Sequence, residues 1–112
     1  MRRSEELVEY LLDKLSLTNN GKLLDYGCGN GSAIKSFSNR LCGWEFDGVE
    51  VDNKYEKNLR KIKNFKKFYQ AEKDTINDKY DIITIIHCLE HLVDPLFFLK
   101  EIKKNILDNG YI

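Results

Sequence analysis

The chain has 112 residues, of which 42% are hydrophobic and 32% are charged, a composition typical of one globular domain. Lysine plus arginine and aspartate plus glutamate both total 18, so the net charge of zero indicates neither a nucleic-acid partner nor a membrane surface. No apolar run reaches the ~20 residues that cross a bilayer, Glu5 and Glu6 come too early for a secretory signal, and the three cysteines form no CxxC pair. We therefore expect a cytoplasmic protein without a membrane contact.

Four segments have the spacing or the end signals of helices. Apolar residues three and four apart predict an N-terminal helix over residues 4–15, which we place in an N-terminal segment, 1–20, ahead of a main domain, 21–112. A second helix is expected over 31–40 and a basic one over 54–63. Asp94 as N-cap and Pro95 at the first position predict a last helix, whose apolar positions run to Leu107 and which Asn109 and Gly110 end.

The segments between these helices have the pattern of strands. We expect strands at 22–26, at 44–51 with Gly48 at a break, and at 67–69. The run from Tyr80 to Ile86 is apolar on both faces, which is typical of a central strand, and Tyr111 begins a fifth strand. Because strands alternate with helices, the sequence predicts an α/β fold with a mostly parallel sheet.

A glycine-rich loop follows the first strand in LLDYGCGNGS, residues 23–32. Gly27, Gly29 and Gly31 allow positive φ and let a ligand approach the main chain. Glu50 follows 23 residues after Gly27, at the end of the second strand, where a carboxylate can accept hydrogen bonds from both ribose hydroxyls of a nucleoside. The loop alone also occurs in dinucleotide-binding proteins, but the spacing here is GxGxG and not GxGxxG.

With GVEVD at 48–52, the run YDIITIIHCLEHLVDPLFFLKEI from residue 80 and DNGYI at the end, the chain resembles class I S-adenosylmethionine-dependent methyltransferases. The resemblance implies an open parallel sheet in the order 3-2-1-4-5 with helices on both faces, lacking the strands that follow strand five. It implies S-adenosylmethionine as the cofactor, with Glu50 on the ribose, Val51 on the adenine and residues 70–72 near the adenine edge. The cofactor-binding residues that it implies elsewhere are Asp25, Gly27, Cys28, Gly29, Gly31 and His87.

The segment from His87 to His91 contains two imidazoles and a carboxylate. On a helix, His87, Glu90 and His91 share one face and can bind a metal or move a proton. The segment is similar to the ExxEH of ubiquinone-pathway O-methyltransferases and small-RNA 2′-O-methyltransferases, which bind magnesium and act on oxygen. Here His87 replaces the first Glu, and nitrogen is a poorer ligand for magnesium, so we favour a pocket-shaping role without a metal. His91 is the best candidate for a general base.

The sequence leaves two functions open. The first is methyl transfer from S-adenosylmethionine to an unidentified acceptor, for which an oxygen nucleophile is one candidate. The second is a non-catalytic nucleoside-binding module. A nicotinamide-dependent dehydrogenase is disfavoured by GxGxG and by the LEH segment.

A basic cluster surrounds Phe65 and Phe68. It comprises Lys57, Arg60, Lys61, Lys63, Lys66 and Lys67. Because the net charge is zero, we interpret the cluster as a solvated helix face and not as a surface that binds a phosphate backbone.

Because the chain stops where strand five begins, strand four is expected to lack one neighbour. Unpaired backbone groups at a sheet edge promote pairing with another chain. We therefore predict that the chain associates with itself through this edge, exchanges elements between copies, or is a fragment of a longer protein.

Overall fold

The computed structural model describes residues 2–15, 17–71, 73–85 and 94–111. They form one sheet of five parallel strands in the order β3-β2-β1-β4-β5, as the resemblance implies. The strands are β1 (Gly21–Tyr26), β2 (Trp44–Glu50), β3 (Phe65–Gln70), β4 (Tyr80–Thr84) and β5 (Ile106–Tyr111).

Helices cover both faces of the sheet. They are α1 (Arg2–Lys14), α2 (Ser32–Arg40), α3 (Glu56–Leu59) and α4 (Pro95–Ile102). On one face, apolar residues of the three helices pack against Leu23, Phe46 and Ile82 of the strands; they are Val8 of α1, Ala33, Ile34 and Phe37 of α2, and Leu59 of α3. On the other face, Ile102 and Leu99 of α4 pack against a cluster that contains Leu24, Val49, Tyr80 and Ile83. The N-terminal helix therefore contributes to the same core as the residues that follow it.

Strand β2 is continuous, and Phe46 and Val49 face opposite sides of the sheet, so the predicted break in the alternation at Gly48 is wrong. Gly48 pairs with Asp25 of β1 and with Phe68 of β3. A Cβ at this position would lie 2.7 Å from the Cys28 sulfur, far inside van der Waals contact. Glycine is therefore required for the packing of the loop after β1, and it does not end the strand.

The irregularity in the sheet lies earlier, between Phe46 and Asp47, where the register with β3 shifts. Asp47 is buried there, and its Oδ1 accepts a hydrogen bond of 2.9 Å from the Lys67 amide. Its Oδ2 accepts one of 2.5 Å from the Tyr80 hydroxyl. One carboxyl group thus joins β2 to β3 and β4, and burial raises its pKa in spite of these hydrogen bonds.

Two helices are shorter than predicted. The basic helix expected over 54–63 is reduced to α3, because Lys61 and Ile62 donate to carbonyls only three residues back. Helix α4 begins as predicted, with Asp94 Oδ1 accepting from the Phe97 amide at 3.1 Å. It ends at Ile102, before a 3-10 turn over Lys103–Asn105.

Strand β5 therefore begins at Ile106, five residues earlier than predicted. The Asn105 side chain donates to the carbonyls of Ile76 and Asp78, which fixes the turn into this strand. Ile106 pairs with Tyr80 of β4, and it is a strand residue, not part of the α4 stripe. Gly110 lies within β5, where a Cβ would meet the Asp81 carbonyl at 2.8 Å, so it does not end a helix.

Strand β4 consequently has a neighbour on each side, β1 and β5, and the expectation that it would lack one is wrong. The outer strands of the described sheet are β3 and β5. Of the helices that the structure describes, none is long and apolar enough to cross a membrane.

Candidate functional site

The glycine loop connects β1 to α2 at the carboxyl edge of the sheet. Gly27, Gly29 and Gly31 all have left-handed backbones, with φ values of 71°, 54° and 88°. The amides of Gly27 and Cys28 both donate to the Val49 carbonyl, at 2.8 and 3.1 Å. These two bonds hold the loop over the end of β2, and only glycine adopts the left-handed conformation without strain.

Glu50 is the last residue of β2 and contacts this loop through its carboxylate. Its Oε2 accepts a hydrogen bond of 2.7 Å from the Gly29 amide, and its Oε1 accepts one of 2.8 Å from the Val51 amide. A carboxylate has about four acceptor positions, so each oxygen can still accept from a hydroxyl of a ligand. The loop and the end of β2 thereby hold the Glu50 side chain in a defined position.

Val51 and Gln70 extend the site along the edge of the sheet. The Val51 side chain is 72% exposed, which is unusual for an apolar residue directly after a buried strand. The Gln70 side-chain amide donates to the Val51 carbonyl at 3.1 Å, and the Ala71 amide donates to the Glu50 carbonyl at 2.8 Å. The ends of β2 and β3 thus present an apolar side chain beside the Glu50 carboxylate.

Asp25 is the buried acid of the site, with 1% of its surface exposed. Its Oδ1 accepts a hydrogen bond of 2.7 Å from the Thr84 hydroxyl, whereas its Oδ2 is buried and has no hydrogen-bond partner among the described residues. Burial raises the pKa of Asp25 to about 7, with a smaller increase from the Glu50 charge, although the Thr84 hydrogen bond lowers it. An unsatisfied buried oxygen is costly and requires an explanation in a folded protein.

Thr84 is the site residue that the sequence reasoning did not identify. It is the last residue of β4, and in the sheet it pairs with Asp25. The signal available in the sequence was a threonine between the apolar residues that follow Asp81. A side chain of this size in a parallel strand can reach the acid on the neighbouring strand.

Cys28 contributes to the site through its backbone. Its side chain is 4% exposed and packs in the core against Gly48 and Ile34. Burial, together with the charges of Asp25 and Glu50, raises the pKa of the thiol well above its usual range. A buried neutral thiol of this kind is a packing group and not a nucleophile.

The candidates for metal binding and proton transfer lie outside the described residues. These are His87, Glu90 and His91, and Glu72 after β3 also lies outside. Within the ranges that the structure describes, no group of three or more His, Cys, Asp or Glu residues can hold a metal ion.

Comparison with known proteins identifies the family to which this chain belongs. Residues 2–112 match the family model described as a methyltransferase domain. The chain belongs to the class I S-adenosylmethionine-dependent methyltransferase family. The match covers nearly the whole chain, including α1.

The relatives and solved structures agree with this assignment. Protein 235L of Invertebrate iridescent virus 6, which is named as a methyltransferase, is 30% identical over 102 residues, covering 88% of this chain and 38% of that protein. The ubiquinone biosynthesis O-methyltransferase of Vibrio cholerae serotype O1 is 23% identical over 113 residues, covering 94% of this chain and 45% of that protein. Coclaurine N-methyltransferase bound to N-methylheliamine and SAH has the same fold, with a TM-score of 0.81, 17% identity and coverage of 96% and 33%. The chain thus spans less than half the length of these relatives.

Proposed function

We propose that this chain binds S-adenosylmethionine at the carboxyl edge of the sheet and is the cofactor-binding part of a methyltransferase whose acceptor is unidentified. The observation that carries the proposal is the placement of two carboxyl groups, Asp25 and Glu50, on either side of the glycine loop. Strands β1 and β2 bring them together, since Asp25 lies one residue before the end of β1 and Glu50 ends the neighbouring parallel strand. Open α/β sheets bind their ligands at this edge.

The described residues have the chemistry that this cofactor requires. S-adenosylmethionine has an ammonium group, a sulfonium and a ribose diol, and when bound it supplies a methyl group on positively charged sulfur. Glu50 keeps acceptor positions for the diol, whereas Asp25 is buried beside it. Val51 offers an exposed apolar surface to a base. Gly27 and Gly29 leave the loop backbone accessible.

The chain's own contribution to methyl transfer is positioning. A methyl group moves in line between two nucleophilic atoms, so most of the rate enhancement comes from holding the two reactants in that geometry. We propose that His87 lines the cofactor pocket and that His91 is a general base that takes a proton from an oxygen acceptor. Similarity to the Vibrio cholerae O-methyltransferase supports an oxygen acceptor.

The cofactor proposal is tested by calorimetric titration of S-adenosylhomocysteine into the chain. Glu50→Gln is expected to weaken binding about tenfold or more, because a hydrogen bond to a charged acceptor contributes roughly 1.5–3 kcal/mol. Glu45→Gln is the matched control, since Glu45 is exposed at the opposite end of the same strand. Equal affinity in the two variants would contradict the role of Glu50, and preferential binding of NAD would contradict the choice of cofactor.

The catalytic proposal needs an assay with labelled S-adenosylmethionine and a panel of small-molecule, protein and RNA acceptors. We expect His91→Gln to lower kcat about 100-fold or more, with little change in the affinity for S-adenosylhomocysteine. Unchanged turnover in this variant would exclude His91 as the base. Cofactor binding without transfer to any acceptor would favour the non-catalytic binding module.

A further inference from the structure

The structure divides the basic cluster at residues 57–67 into paired and unpaired cations. Arg60 forms a salt bridge with Glu56 at 2.7 Å, and Lys67 forms one with Asp78 at 2.6 Å. Phe65 is buried and Phe68 packs against the core, so neither ring offers a surface on which a base can stack. The cluster is therefore not the continuous strip of charge and aromatic rings that binds single-stranded nucleic acid.

Lys61 and Lys63 of the basic cluster line a cleft together with Lys35 of α2. The cleft has a volume of about 440 Å³ and lies between α2 and the segment after α3. We call it the lysine cleft, and its lining residues are Asn30, Gly31, Ser32, Lys35, Ser38, Asn39, Asn58, Lys61, Ile62 and Lys63. Three of these residues are cationic and none is acidic.

In the part of the chain that the structure describes, no carboxylate forms a salt bridge with a lysine of the cleft. Among the described residues, Lys35, Lys61 and Lys63 take part in no salt bridge, whereas Lys22, Lys67 and Lys104 all do. Because the chain as a whole has zero net charge, three unpaired ammonium groups around one concavity are a local feature. Concentrated charge of one sign in a cleft raises the local concentration of ligands of the opposite sign.

The rest of the lining provides hydrogen-bonding groups and an apolar floor. Asn39 and Asn58 are exposed and have side-chain amides that can donate to an oxygen. Ile62 packs against the core, and a Cβ at Gly31 would lie 2.7 Å from Leu59, so the floor is closed. The volume of the cleft lies in the range of sites for small molecules.

We propose that the lysine cleft binds a small ligand with two or more phosphate groups. The charge and the concave shape both favour a compact polyanion over a nucleic acid, which needs a groove that continues across the surface. The lysine cleft shares Gly31 with the glycine loop but is not lined by Glu50, and the inference does not require that the chain bind S-adenosylmethionine.

Inorganic tripolyphosphate is the probe, monitored through the backbone amide shifts of the 112-residue chain. We expect saturable shifts at residues 30–39 and 58–63. The variant K35Q/K61Q/K63Q should bind roughly thirtyfold more weakly, at about threefold for each ammonium group removed. The control variant K73Q/K79Q/K103Q removes the same charge from three exposed lysines elsewhere and should bind like the wild type.

Three results would overturn the proposal. An equal loss in the control variant would show attraction by net charge alone. Sulfate competing as well as tripolyphosphate would show an adventitious ion only. Tighter binding of a single-stranded oligonucleotide, with shifts that spread along β3, would show a nucleic-acid surface. The variant K35R/K61R/K63R keeps the charge, so retention of its affinity separates a binding defect from a folding defect, and Glu50→Gln should leave tripolyphosphate binding unchanged.

Discussion

Asp25 is the residue at which stability and the proposed function conflict. Its pKa of about 7 means that the folded chain keeps a proton that the unfolded chain loses near pH 4. Between these values the folded state binds more protons, so the free energy of unfolding falls as the pH rises and levels off above about pH 7. At neutral pH the protein therefore tolerates a partly ionised carboxylate in its core.

Asp25→Asn removes this titration and should flatten the pH profile of stability. Between pH 5 and pH 8 the wild type is expected to lose about 3 kcal/mol through Asp25, because the loss levels off near pH 7, and the variant should lose less. The variant still loses some stability as the pH rises, because the pKa of Asp47 is also raised. Urea unfolding at the two pH values measures the difference. Asp13→Asn, at an exposed site, is the control, and identical profiles for Asp25→Asn and wild type would contradict the assignment.

Residues at the ends of the strands were predictable because the chain order determines them. The glycine loop, Asp25 and Glu50 were all identified from spacing and from the resemblance to the family. The hydrogen bond from Thr84 to Asp25 joins positions 59 residues apart. A local sequence pattern spans only a few residues, so it cannot predict a contact over this separation, and only the folded chain reveals it.

At the scale of elements, β2 and the glycine loop depend on each other through Gly48 and Cys28. The missing Cβ at Gly48 makes room for the Cys28 sulfur, which in turn lies under the loop that contacts Glu50. In sequence a glycine within a strand indicates a bulge, and here that rule gave the wrong result. The packing partner is 20 residues away and is brought close by the parallel pairing of β1 with β2.

Gly48→Ala is expected to destabilise the protein by about 1–3 kcal/mol, the usual cost of an extra carbon in a packed core. Cys28→Ala should relieve most of this cost, because it removes the sulfur that the new Cβ would meet. The measurement is a double-mutant cycle in urea. Additive effects of the two substitutions would show that the contact does not determine the cost.

Helix α4 was predicted well at its start, where a cap marks it, and poorly at its end, where only apolar spacing was used. Asp94 and Pro95 begin α4 as expected, because a cap acts within one turn. The apolar residues Ile106 and Leu107 have helical spacing from Ile102 but belong to β5. Their position is decided by the Asn105 hydrogen bonds to residues 76 and 78, which are long-range contacts.

At the scale of the whole molecule, the two outer strands differ in how they can meet another chain. Strand β3 has Lys66 and Lys67 exposed, and lysines on an edge discourage pairing. Strand β5 has Leu107 and Tyr111 exposed at 39% and 40%. In the described part of the sheet, β5 pairs on one side only, with β4. The self-association that the sequence predicts at the β4 edge is therefore expected at the β5 edge instead.

Sedimentation velocity over a range of concentrations tests this self-association in the 112-residue chain. We expect a concentration-dependent dimer, which Leu107→Lys should weaken because a charge on an edge strand disfavours strand pairing. The matched control is Leu96→Lys, since Leu96 is an exposed leucine on α4, away from the edge. A monomer at all concentrations in the wild type would contradict the prediction.

The α/β class, the glycine loop and the place of Glu50 at the end of a strand follow from the sequence, because alternation, glycine spacing and strand ends are local properties of the chain. Only the tertiary structure decided that Gly48 is a packing requirement, that β5 begins at Ile106, that Thr84 contacts Asp25 and that three lysines meet in one cleft. The physical reason is the same in each case. Close packing and charge compensation depend on residues that folding brings together from distant parts of the chain.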